Sequence, residues 1–244
     1  MQANGKFDTL HLAVRHGTPV SDYESRGLPY MPLASPAVPA MADSAALLQV
    51  LLSCPPVDLG FLTEVIRNDV GLTIELLRLQ SRDEGIPSDG FSISKNVVHA
   101  GIGGLSVLAN QVEILSGSLP GKQPGPECEP FWAHSRVTAL MAEELAHKAG
   151  CDPEEAYVVG LLFRIGELPA LLGWKWDLLT TKPRDIARIL ANMWRLPSRL
   201  ADILSADDLQ LPSESRTLLQ LARVADQQAL CLDGLMHKYA RSAF

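Results

Sequence analysis

The stretch FWAHSRVTALMAEEL, residues 131–145, decides the fold of this chain. In a helix, His134 shares one face with Val137, Met141 and Leu145, because positions three, four and seven apart lie above one another. The spacing therefore predicts a packed helix over 131–149 with the imidazole of His134 turned toward the interior. A histidine in that place is either a core residue bonded to a carbonyl or hydroxyl, or part of a functional site.

Helical signals continue on both sides of this stretch. Toward the C-terminus, Asp152 followed by Pro153 predicts a helix start over AYVVGLLFRIGELPALL, and Ser213 predicts the start of a last long helix. Toward the N-terminus, Asp58 and Asp69 predict helix caps. No alternating, β-branched run appears between turn signals, so the sequence predicts an all-α fold.

The chain divides into three parts by composition. Residues 1–40 carry prolines at 19, 29, 32, 36 and 39 and no sustained apolar period, which predicts an irregular proline-rich lead segment. Residues 41–244 then form one helical domain of two packed halves, 41–118 and 131–244. Between the halves, 118–130 is a loop by composition.

Composition and charge exclude several classes of protein. The chain has 244 residues, 47% hydrophobic, with 21 basic and 28 acidic side chains and a net charge of −7. No apolar stretch approaches the roughly 20 residues of a bilayer span, and the start lacks the pattern of a signal peptide. We therefore expect a cytoplasmic protein without a membrane partner. A protein with this excess of acidic side chains is expected to bind nucleic acid poorly, because nucleic acid attracts basic patches.

The sequence contains no familiar catalytic or cofactor motif. Its four cysteines, Cys54, Cys128, Cys151 and Cys231, lie far apart and form no Cys-x-x-Cys pair. Walker, nucleophile-elbow, zincin and dinucleotide-binding patterns are also missing. We therefore expect no cofactor and no assembled nucleophile.

Five segments in order resemble the HDOD domain, a branch of the HD superfamily of helical metal-dependent phosphohydrolases. They are DVGLTIELLRLQS (69–81), SISKNVVHAGIGGLSVLA (92–109), FWAHSRVTALMAEEL (131–145), PEEAYVVGLLFRIGELPALL (153–172) and MWRLPSRLADIL (193–204). The resemblance covers about residues 41–205. It implies an HDOD-like helical fold and a role in bacterial signal transduction.

What the resemblance implies for chemistry depends on one dipeptide. HD enzymes use an adjacent His-Asp pair within a set of metal ligands, and the metal activates the attacking hydroxide. The aligned position here is Phe163-Arg164. Phenylalanine has no lone pair, and arginine is a cationic donor that repels a divalent ion. We therefore predict a degenerate, non-catalytic domain without a bound metal, in which only His134 of the ligand set remains.

The residues of the former metal pocket have two interpretations. Arg164 and Glu167 lie three apart on one predicted helical face and can form an ordinary ion pair. Alternatively, Arg164 beside His134 turns the pocket into a site for phosphate or carboxylate. A groove between the halves, lined by Trp132, His134, Arg164 and Glu167, is our predicted ligand or regulatory site.

A partner surface is predicted at Trp174 and Trp176 in GWKWD, where a helix should end after Gly173. The resemblance implies protein partners in a signalling pathway, such as nucleotide-signalling enzymes or kinases. Two rival functions stay open. One is an atypical metal-dependent phosphohydrolase. The other is a nucleic-acid-binding helical protein acting through residues 98–106, which contain the glycine joint at 101–104, although the surrounding sequence lacks a cationic flank.

Overall fold

A computed structural model describes residues 36–81, 90–115, 128–174, 182–205 and 210–242, with side chains described as far as 233. Helices dominate all of these ranges, as the sequence predicts. Within them, the regular strand structure is one two-residue parallel pairing, Ala40–Met41 with Ile114–Leu115. The all-α prediction is confirmed.

The described residues of the first half form four helices and the two short strands. In chain order these are β1 (Ala40–Met41), α1 (Ala42–Ser53), α2 (Leu59–Arg67), α3 (Val70–Gln80), α4 (Ile93–Gln111) and β2 (Ile114–Leu115). Helix α4 packs against each of the other three, most extensively against α3.

The second half is built around one helix pair. Its elements are α5 (Cys128–Ala149), α6 (Pro153–Leu162), a 3₁₀ turn (Ile165–Glu167), α7 (Leu168–Leu171), α8 (Pro183–Met193), α9 (Ser198–Ser205) and α10 (Ser213–Ser242). Helix α5 packs most extensively against α6 and then against α10. Gly160 permits the close approach of α6, since a Cβ added there would lie 2.9 Å from the Cα of Ala139.

Three aspartates predicted as helix caps occupy those positions. Asp58 accepts from the amide of Gly60 at 2.8 Å, and Asp69 accepts from Leu72 at 3.0 Å. Asp152 accepts from Glu154 at 2.9 Å. Each carboxylate therefore pairs an amide that the first helical turn leaves without an intrahelical partner.

The long helix predicted after Pro153 is interrupted. Helix α6 ends at Leu162, and a 3₁₀ turn and the short α7 follow it. Pro169 has no N–H for a continuing helix. Gly166 packs so closely on the carbonyl of Pro183 that a Cβ there would lie 1.9 Å from the oxygen. The chain therefore turns at Arg164, and the prediction of one continuous helical face is wrong at this point.

The end of the predicted lead segment belongs to the packed fold. Val38 and Ala40 are fully buried, and the indole N–H of Trp194 donates to the carbonyl of Pro36 at 2.8 Å. Residues 1–35, which make up the rest of that segment, lie outside the described residues.

Polar contacts tie the two halves together. One terminal guanidinium nitrogen of Arg67, in α2, donates to both carboxylate oxygens of Glu143, in α5, at 2.8 Å each. The Tyr157 hydroxyl of α6 donates to the carbonyl of Arg67 at 2.8 Å. Glu154 accepts from the amide of Ser94 at 2.7 Å and so holds the start of α4 against α6. These contacts fit the predicted packing of two helical halves.

Helix α4 bends at one of its three glycines. Gly101 has φ 57° and ψ −177°, a region that only glycine occupies without strain. Gly103 and Gly104 are helical, so the joint predicted at 101–104 consists of Gly101 alone.

This difference predicts opposite effects for two neighbouring substitutions. Gly101→Ala should lower the free energy of unfolding by about 1–2 kcal/mol, because alanine is strained at that φ and ψ. Gly103→Ala should raise it by about 0.5–1 kcal/mol, since an added Cβ meets nothing within 4 Å and alanine favours the helix. Urea denaturation of both variants measures the difference. Equal effects would contradict the placement of the bend.

No helix in the described part of the chain is long and apolar enough to cross a bilayer.

Candidate functional site

His134 lies at the interface of α5 with α10, in the first turns of α5. Its side chain is 6% exposed, which confirms the inward orientation predicted from the sequence. Both ring nitrogens have a carboxylate partner. Nδ1 lies 2.9 Å from Oδ2 of Asp233, and Nε2 lies 2.8 Å from Oδ1 of Asp226.

The two carboxylates determine the protonation state of the ring. A neutral imidazole has only one N–H, so it cannot donate to two acceptors on opposite sides. The hydrogen bond to Asp226 makes the largest contribution to raising the pKa of His134, and Asp233 raises it further. Burial and the positive charge of Arg164 oppose the rise without cancelling it. The two carboxylates therefore favour the protonated form of His134, an imidazolium that donates to both.

The prediction of the site did not include Asp226 and Asp233. They stand seven residues apart on α10 and so share a face, beside the buried Ala222, Ala225 and Ala229. Two aspartates on the apolar side of an amphipathic helix were the available signal. The sequence could not say which buried group would meet them.

Arg164 and Glu167 form the predicted ion pair. Nε and one terminal nitrogen of Arg164 contact the two carboxylate oxygens of Glu167 at 2.7 and 2.8 Å. The pair spans the turn after α6 and the 3₁₀ turn, instead of one helical face. An anion at Arg164 would have to displace Glu167 from this fork, so the anion site stays a prediction.

The predicted aromatic residues have different surroundings. Trp132 is 2% exposed and packs edge-on to Phe131 at a centroid distance of 5.4 Å. Within the described residues its indole N–H has no hydrogen-bond partner. Trp174 is half-buried against the core, and Trp176 lies outside the described residues. Packing therefore accounts for most of the surface of Trp174.

The described residues do not fit the metal centre of an HD enzyme. An imidazolium that donates from both nitrogens has no lone pair for a metal. Phe163 and Arg164 supply no ligand atom. No group of three or more His, Cys, Asp or Glu side chains in the described ranges is arranged to hold a metal ion.

Solved structures with the same fold come from a bacterial response regulator. The MmoQ response regulator of Methylococcus capsulatus str. Bath is 18% identical, with a TM-score of 0.62 over 79% of this chain and 86% of that chain. A fragment of the same protein gives 0.58 at 18% identity, over 79% and 84%. A phosphohydrolase candidate from Shewanella amazonensis SB2B is 24% identical over 81% and 78%, with a TM-score of 0.40.

No curated protein sequence matches the chain significantly. The HDOD domain family matches residues 38–175, more than half of the chain. The match begins at the buried residues before β1 and includes α5, α6 and the Phe163-Arg164 dipeptide. This chain is therefore a member of the HDOD domain family.

Proposed function

We propose that this HDOD domain is a non-catalytic regulatory module that binds protein partners in a bacterial signalling pathway. One observation carries the proposal: the two polar side chains at the former metal position, His134 and Arg164, are each bonded to carboxylates of this chain. His134 is bound between Asp226 and Asp233, and Arg164 is bound by Glu167. A hydrolase needs such groups free for a metal and a phosphate.

The arrangement supports a structural role for the former catalytic face. The imidazolium joins α5 to α10, and the Arg164–Glu167 pair fixes the turn after α6. A rigid scaffold of this kind leaves binding to the surface of the domain. In the described residues, Val98 on α4 is 66% exposed and Val50 on α1 is 57% exposed. Single exposed apolar side chains are ordinary on a protein surface, so these two positions show which faces of α1 and α4 are accessible and do not define a binding patch.

The catalytic alternative is tested by metal content and hydrolysis. We expect the purified full chain to carry well below one equivalent of transition metal after incubation with Mn²⁺. We also expect its hydrolysis of bis(p-nitrophenyl) phosphate with Mn²⁺ to equal that of buffer with Mn²⁺ alone. Stoichiometric metal together with turnover that disappears in a folded His134→Ala variant would establish an atypical phosphohydrolase instead.

Partner binding is tested with the full chain as bait in an extract of its native host. A regulatory module should retain a defined protein that then binds the purified chain directly, with an affinity measurable by calorimetry. Repeating the capture with residues 1–35 deleted, which leaves the buried Val38 and Ala40 in place, shows whether the rest of the lead segment contributes. Salt-sensitive retention of nucleic acid in place of protein would contradict the proposal.

A further inference from the structure

A row of basic side chains follows the exposed face of α8 and continues at both of its ends. The buried residues of α8 leave one exposed sector, in which Arg184 is followed one turn later by Arg188. The exposed basic residues of this face and of the two helix ends are Lys182, Arg184, Arg188 and Arg195. They extend over about 20 Å along the helix axis. We call them the α8 basic row, and they share no residue with the predicted groove at His134.

The row keeps a net positive charge. Helix α8 carries one carboxylate, that of Asp185, which accepts from a terminal nitrogen of Arg188 at 2.6 Å. The side chain of Arg188 remains 52% exposed beside it. Four basic side chains therefore face one carboxylate on this helix, in a chain whose total charge is −7. The row is a local exception to the acidic character of the chain.

The start of α8 carries cations where a stable helix favours other side chains. Lys182 occupies the N-cap position, and its side chain makes no capping hydrogen bond. Arg184 follows in the first turn. Because the N-terminal end of a helix carries a partial positive charge, two cations there lower the stability of the helix. The same charges attract an anion from outside.

The end of α8 departs from the usual pattern in a second way. Arg195 has φ 54°, in the left-handed region that favours glycine. Its amide donates to the carbonyl of Asn192 at 3.1 Å, and the amide of Leu196 donates to the carbonyl of Ala191 at 2.9 Å. These are the two bonds of a Schellman motif, in which glycine usually occupies the position of Arg195. Basic side chains therefore stand at both ends of α8 against local preference, and such departures concentrate at functional sites.

We propose that the α8 basic row binds an acidic segment of a protein partner, with carboxylates distributed over about 20 Å. This inference rests on the proposed function and names the chemistry of the partner. Three of the four cations are arginines, and a guanidinium binds a carboxylate through two parallel hydrogen bonds. The row therefore supplies both charge and geometry for several carboxylates in line.

A protein segment suits the row better than a nucleic acid does. Nucleic acids bind through many phosphate contacts, and four cations neutralise only about four phosphates. A longer strand would also extend past the row onto a chain with a net charge of −7, which repels it. A short acidic helix or loop contacts the row alone.

The test is a titration of the ¹⁵N-labelled full chain with a helical, alanine-based peptide of about fourteen residues that carries glutamates one turn apart. The control peptide has glutamine at the same positions. Amide correlation spectra at about 50 mM salt, where surface charges are weakly screened, locate the binding. We expect saturable shifts at residues 182–195 with the glutamate peptide and at least tenfold weaker binding of the glutamine peptide.

Variants separate the row from a general effect of charge. Arg188→Glu reverses a charge within the row and should weaken binding of the glutamate peptide at least tenfold. Arg136→Glu is the matched control, because Arg136 is exposed on α5 and lies outside the row. It should change the affinity less than twofold.

Arg195→Gly gives a second, independent readout. Glycine removes the charge and also the backbone strain, so binding should weaken about threefold while the melting temperature rises by about 2–4 °C. A purely structural arginine would not show weaker binding together with higher stability. Thermal melts of all variants also confirm that each is folded at the temperature of the titration.

Three results would overturn the proposal. They are the absence of saturable shifts at 182–195 on the folded chain, equal binding of the two peptides, and unchanged affinity in both Arg188→Glu and Arg195→Gly. Tighter binding of a thymidine oligonucleotide of equal charge at the same residues would overturn it in favour of nucleic acid. The titration uses no host extract, so this inference can fail while the capture of a host protein supports the proposed function. Undiminished capture of that host protein by Arg188→Glu would likewise overturn this inference alone.

Discussion

His134→Ala is expected to lower the free energy of unfolding by about 2–4 kcal/mol. The substitution removes the hydrogen-bond partner that Asp226 and Asp233 share. The two carboxylates would then face a cavity without the cation that pairs them, and α10 would lose its polar contact with α5. Asp233 is 49% exposed and regains water, which keeps the loss below that of a fully buried pair.

Urea denaturation measures this loss against a matched control. His147→Ala removes an exposed histidine from the other end of α5 and should change stability by less than about 0.5 kcal/mol. A double-mutant cycle with Asp226→Ala isolates the pair, and its coupling should lie at about 0.5–3 kcal/mol. If His134→Ala lowered the free energy of unfolding no more than His147→Ala does, His134 would not be what holds α5 and α10 together.

The pH dependence has a definite sign. The pKa of His134 is raised above its ordinary value of 6.5, so the folded chain holds this proton more tightly than the unfolded chain. The contribution of the pair is complete below about pH 6.5 and is lost as the pH rises through the folded pKa. His134→Gln should remove this part of the pH dependence. An NMR titration should show a lower pKa for His134 in the Asp226→Asn variant, because Asp226 is its strongest partner.

Local signals in the sequence were sufficient to predict much of the fold. The caps at Asp58, Asp69 and Asp152 were predictable, because a short acidic side chain before an apolar period is a local pattern. Burial of His134 followed from the spacing of its neighbours. Both depend only on residues within a few positions of one another.

Contacts between distant segments were not predictable in the same way. The bond from Trp194 to the carbonyl of Pro36 joins positions 158 apart, and no local period indicates it. Asp226 and Asp233 are also far from His134 in the sequence, so no local pattern indicates that they contact it in the folded chain. The break after α6 depends on Gly166 packing against the distant Pro183, and the sequence did not indicate it. The ion pair of Arg164 with Glu167 was therefore predicted correctly, but its placement on one continuous helix was not.

The second large effect is expected at Asp69. Its carboxylate is fully buried, and burial raises its pKa, although several hydrogen bonds oppose the rise. Oδ1 caps α3 through Leu72 at 3.0 Å, and Oδ2 accepts from the amide of Met41 at 2.8 Å. One side chain thus starts a helix and holds β1 against it.

Asp69→Ala should therefore cost about 2–4 kcal/mol of folding free energy. About 1 kcal/mol comes from the lost cap, and the rest comes from the Met41 amide, which is part-buried and loses its acceptor. Asp69→Asn should cost less, since an amide oxygen still caps the helix while its NH₂ group faces the Met41 N–H.

Asp58→Ala is the matched control for this substitution in denaturant unfolding. Asp58 caps α2 in an exposed position and, among the described residues, accepts only from amides of that helix, so its loss should cost only about 1 kcal/mol. Equal losses at Asp58 and Asp69 would mean that the bond to Met41 contributes nothing. A larger loss at Asp69 would show that the residues before α1 are fixed to the domain by a buried carboxylate, and that a deletion reaching Met41 removes part of the core.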